Sequence, residues 1–67
     1  MYHVTVTVHG LVTCMAEVRS LPDARVELAR LVGECQDVRP VEGNPDDVVA
    51  RYPDDARSMR ISITERA

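Results

Sequence analysis

Four side chains offer the chemistry of metal ligands or nucleophiles: His3, His9, Cys14 and Cys35. Two acidic pairs, Asp46-Asp47 and Asp54-Asp55, add carboxylates of the kind used for cation binding or acid–base work. Spacing argues against each use. If the residues from His3 to His9 are extended, the two imidazoles share a face, but six residues at ~3.3 Å each set them about 20 Å apart. A zinc ion holds nitrogen at only about 2.0–2.1 Å, so one ion cannot join them. No C-x-x-C or H-x-x-x-H spacing occurs. Cys14 and Cys35 are expected on inward faces of a strand and a helix, as buried thiols remote from the outward histidines. A Cys–His nucleophile needs thiol and base within hydrogen-bonding reach, which that placement denies. There is no G-x-S-x-G, no P-loop and no G-x-G-x-x-G. The acidic pairs read as a helix start and a turn. No enzyme activity, metal or cofactor is expected.

The elements that position these residues follow from periodicity. Tyr2, Val4, Val6 and Val8 alternate with His3, Thr5 and Thr7, and most are β-branched, so residues 2–8 read as a strand. Residues 11–18 (LVTCMAEV) read as its hairpin partner. A three-residue loop of Val8, His9 and Gly10 sets Val6 against Val12, Val4 against Cys14 and Tyr2 against Ala16, making one face apolar throughout. A two-residue loop at His9-Gly10 leaves Val12 and Cys14 on the polar side, so the longer loop is the more consistent expectation.

Ser20-Leu21-Pro22-Asp23 reads as a helix start, with Ser20 as cap. The helix is expected to reach about Cys35. Leu21, Ala24, Leu28, Leu31, Val32 and Cys35 form its apolar stripe, opposite Asp23, Glu27, Arg30 and Glu34. Residues 37–42 read as a short strand, at an edge or irregular, because Pro40 cannot donate to a ladder. Asn44-Pro45-Asp46-Asp47 reads as the start of a second helix over about 45–52, stopped by Pro53, with a turn at Pro53–Ala56. Residues 58–65 alternate again, with Met59, Ile61 and Ile63 inward and Arg60, Ser62 and Thr64 outward. The expected fold is a single α+β domain, β-β-α-(β)-α-β. It is a two-layer sandwich with a mainly antiparallel sheet and both helices on one face.

The totals narrow the function. Sixty-seven residues without Phe or Trp must build a core from aliphatic side chains. A chain this short buries only about 60% of its unfolded surface, so self-association is expected to help. All eight basic residues are Arg, a bias typical of GC-rich actinobacterial or phage coding, and the net charge is −3. Nucleic-acid modules usually carry a basic excess. No apolar run of about 18 residues suggests a membrane span, and no secretory signal is visible, so a cytoplasmic location is expected.

The residues expected to recognise a partner are those of the outer sheet face and the last strand. His3, Thr5, Thr7, Thr13 and Glu17 are placed on that face with Leu11 and Met15, which are unusual in open water. Arg60, Ser62 and Thr64 extend it. The arrangement is similar to that of many small bacterial and phage proteins, including phage inhibitors of host enzymes, but no motif names a family. The expected function is a small non-enzymatic protein-interaction module, a phage-type regulator or inhibitor of a cytoplasmic or host protein. The alternative is a nucleic-acid-binding module using Arg60, Arg66 and the polar face.

Overall fold

The computed structural model describes residues 1–55 and 57–66. Its elements are β1 (Tyr2–Val8), β2 (Leu11–Val18), α1 (Leu21–Val32), β3 (Gln36–Val41), β4 (Asn44–Arg51) and β5 (Met59–Glu65). The five strands form one sheet in the order β2-β1-β5-β4-β3, with every neighbouring pair antiparallel. The fold is α+β, with one helix lying on one side of the sheet.

The helix follows its sequence signals. The Asp23 backbone N–H donates to Ser20 Oγ at 3.2 Å, which satisfies one of the first-turn N–H groups. Ala24 and Leu28 are buried against Val4, Val48, Met59 and Ile61 of the sheet, with Leu31, Val32 and Cys35 partly buried beside them. Val26 faces away from the sheet and is 66% exposed.

Two expectations fail here, each for a local reason. The second helix does not form, because residues 44–51 are strand β4. Asn44 does make its cap-like bond: its Oδ1 accepts from the Asp46 N–H at 3.0 Å. That bond suits an Asx turn as well as a helix cap. It follows a two-residue turn in which Glu42 (φ 52°) and Gly43 (φ 76°) are both left-handed, the geometry that joins hairpin strands. With strand partners on both sides, the segment gains more from two ladders, which bury Val48 and Ala50, than from two helical turns.

The hairpin register also differs. His9 (φ 51°) and Gly10 (φ 78°) form the two-residue turn, so Val8 faces Leu11, Val6 faces Thr13 and Thr5 faces Cys14. A bulge then shifts the ladder, and Val4 faces Ala16. The extra residue, Met15, returns Ala16 and Val18 to the core side after the turn has sent Val12 and Cys14 to the other. The expected continuous apolar face is therefore split.

Pro40 does lie on an edge strand, β3. The last strand is not an edge: β5 sits between β1 and β4. A turn closes from Tyr52, whose carbonyl accepts from the Asp55 N–H at 3.2 Å. Ala56, the end of the turn expected at Pro53–Ala56, is outside the described residues.

Candidate functional site

The side of the sheet away from α1 carries three cross-strand rows. One is Asp47–Ser62–Thr5–Cys14, the next Val49–Arg60–Thr7–Val12, and the third Thr64–His3–Glu17. Of the expected recognition residues, His3, Thr5, Thr7, Arg60, Ser62 and Thr64 thus share this open face.

Their chemistry is largely spent on one another. Thr5 is only 9% exposed, and its Oγ1 lies 3.2 Å from Ser62 Oγ. The His3 Nε2 lies 3.3 Å from a Glu17 carboxylate oxygen. Arg60 grips Asp47 with two nitrogens, the Nε donating at 2.8 Å. That bond holds the Asp47 carboxyl below its ordinary range and raises the guanidinium further. An open depression of ≈ 440 Å³ runs over Thr5, Thr7, Val12, Asp47, Arg60 and Arg66.

Arginine pairing recurs elsewhere. Asp46 and Asp47, expected together at a helix start, are separated by strand alternation: Asp46 takes Arg25 of the helix at 3.0 Å, while Asp47 takes Arg60 on the far side. Arg51 meets Asp37 at 2.6 Å, and Arg30 meets Glu27. Arg57 meets Asp55, whose carboxyl is drawn down to about 2 by that guanidinium and by the Arg57 backbone N–H. Among the described residues, Arg25, Arg30, Arg51, Arg57 and Arg60 each face a carboxylate.

Leu11, Thr13 and Met15 depart from their expected places. Leu11 and Thr13 lie on the helix side, where they line an open groove of ≈ 500 Å³ with Val6, Val8, His9 and Arg57. Met15 is the residue at the bulge. Cys14 was expected inward and is exposed on the open face, because the two-residue turn inverts the parity of β2 as far as the bulge. Its Sγ–H donates to the Ala16 carbonyl at 3.4 Å. Cys35 is half-buried and donates to the Leu31 carbonyl at 3.3 Å; burial, with Glu34 nearby, pushes its thiol up. The two thiols are free. Among the described residues, no three His, Cys, Asp or Glu side chains gather closely enough to hold a metal ion.

What the sequence reading missed is the character of the β2 edge. Leu11 is 74% exposed, Val12 61% and Met15 49%. They lie on a terminal strand whose residues 11–16 include no Asp, Glu, Arg, Lys or His. Two X-Gly pairs between alternating runs, His9-Gly10 and Glu42-Gly43, were the signal that could have set the turns and hence this parity. The other edge is different in kind: β3 carries Pro40, Arg39 and a register break between Gln36 and Arg39, with Asp37 at φ 53°. Such devices blunt an edge against further pairing.

Among the described residues, no helix is long and apolar enough to cross a membrane. No protein-family model, curated protein or solved structure matches the chain. What the fold defines is a small α+β domain with a guarded edge and an unguarded one.

Proposed function

We propose that this protein is a small non-enzymatic interaction module that recognises another polypeptide through the β2 edge and the sheet surface beside it. It acts as a regulator or inhibitor by occupying its partner. The observation that carries this reading is the contrast between edges. Strand β3 is blunted by Pro40 and a bulge, whereas β2 offers an uncharged row of Leu11, Val12, Cys14 and Met15 to solvent. An added strand gains affinity from main-chain hydrogen bonds and specificity from alternate side chains. The open-face residues His3, Thr5, Thr7, Arg60, Ser62 and Thr64 then form a polar border to that apolar edge. The two unbonded thiols suit a reducing, cytoplasmic setting.

The nucleic-acid alternative draws less support. Its principal residue, Arg60, is held by Asp47, and the chain carries a net charge of −3. Phosphate recognition depends on cations free to replace counterions.

The test uses tagged protein and extract from the native source, comparing wild type with Val12→Lys and Arg60→Ser. A polypeptide retained by wild type and Arg60→Ser but lost with Val12→Lys is the expected result. Retention by all three, or a nucleic acid whose retention falls steeply with salt, contradicts the reading.

A further inference from the structure

We infer that the strand that extends this sheet is β2 of a second copy, paired antiparallel about a two-fold axis at Thr13. The inference rests on β2 being the recognition edge and adds what covers that edge while no other partner is bound.

The ladder of β1 and β2 fixes which groups are free. Val8 and Leu11 flank a two-residue turn, and such flanking residues exchange both backbone bonds with each other. Alternation then directs the N–H and C=O of Leu11 and Thr13 toward β1, and those of Val12 and Cys14 toward the free edge. Two antiparallel copies must match outward residues with outward residues. An axis at Thr13 does so twice, setting Val12 against Cys14 of the other copy and Cys14 against its Val12. An axis at Cys14 would set Val12 against Ala16, which lies beyond the bulge and has reversed parity. An axis at Val12 would spend Gly10, which belongs to the turn.

The side chains agree with the same axis. Leu11 falls against Met15 of the second copy, so the most exposed aliphatic side chain covers another that is half exposed. No like charges meet in the segment from Leu11 to Ala16. At its ends the axis brings His9 of one copy toward Glu17 of the other, so no two acidic or two basic side chains are set against each other. The benefit is also thermodynamic. The buried apolar core comprises Val4, Ala24, Leu28, Val48, Ala50, Met59 and Ile61, of which two are alanine. A core this thin leaves a small domain dependent on further burial.

Two measurements test the inference. Sedimentation across a concentration series is expected to show wild type passing from monomer to dimer, with Val12→Pro and Val12→Lys remaining monomeric and keeping the wild-type circular dichroism. Proline at 12 removes an outward N–H and leaves the β1 ladder intact. The second measurement is oxidation of Thr13→Cys in a Cys14→Ser background. Two residues facing across such an axis as a non-bonded pair have Cα atoms about 4.5 Å apart, within the roughly 4.4–6.8 Å a disulfide accepts. A covalent dimer is expected there. None is expected from His9→Cys in the same background, where the eight-residue offset places the thiols about 26 Å apart. A wild type monomeric at every concentration overturns the inference, as does cross-linking that is equal at both positions. In either case the capture experiment above still reads the recognition edge independently, because a different polypeptide can be lost on Val12→Lys from a protein that never dimerises.

Discussion

Cys14 stands directly across from Thr5, while Val4, the neighbour of Thr5, stands across from Ala16. One bulged residue separates these two pairings: the His9-Gly10 turn sets the faces of Leu11 to Cys14 before it, and the bulge resets those of Ala16 to Val18 after it. The exposed Cys14 thiol is the most accessible consequence of that turn, whereas Cys35 is half-buried and its thiol pushed up by burial. Thiolate is the form that alkylating reagents attack. In native protein near pH 8, iodoacetamide is expected to modify Cys14 well before Cys35, as read by peptide mass. Equal rates in the folded state would contradict the register that the His9-Gly10 turn sets.

The turns carry a second prediction. Gly10 has φ 78°, and a Cβ built there meets no atom within 4 Å. Gly10→Ala therefore costs only the conformational strain of the left-handed region, roughly 1–2 kcal/mol, in urea unfolding. Asn tolerates that region, so Gly10→Asn is expected to recover part of the loss. If both variants match wild type, the two-residue turn is wrong.

Removing the helix cap gives a third. Ser20→Ala deletes the acceptor for the Asp23 N–H and is expected to lower stability by about 1 kcal/mol, with Ser20→Asp close to wild type. An unchanged midpoint for Ser20→Ala would show that the cap adds nothing.

The Asp47–Arg60 pair sets a pH dependence. Asp47 has a folded-state pKa below the ordinary value, so its contribution is present above about pH 3.9, where the unfolded chain titrates. It is lost as the pH falls through the lower folded value. Asp55, held at about 2 beside Arg57, acts in the same direction. Asp47→Asn is expected to cost at most about 1 kcal/mol at pH 7, and the gap from wild type should close in acid. A gap that widens below pH 3.9 has the wrong sign for this account.

Much of the fold was legible because three segments repeat one signal over their whole length. Tyr2–Val8 and Leu11–Val18 alternate, and Leu21–Val32 follows the helical period behind a Ser20 cap. The second helix was misread because Asn44, Pro45, Asp46 and Asp47 serve a turn as well as a cap, and local chemistry does not reveal that two strands await Val48 and Ala50. The open face was read correctly at His3, Thr5, Thr7, Arg60, Ser62 and Thr64, where alternation is unbroken. It failed at Leu11, Thr13 and Cys14, whose parity depends on the turn and on a bulge that is absorbed only by pairing with β1. Strand order, which makes β5 central and β2 terminal, is a long-range property that period-two patterning does not encode.

Amide hydrogen exchange, resolved by residue across β2 at low and high protein concentration, tests the edge assignment most directly. The N–H groups of Leu11 and Thr13 should be protected at both concentrations, and those of Val12 and Cys14 only at the higher. Val12 and Cys14 amides that exchange equally fast at both would contradict a β2 edge that takes up a second strand.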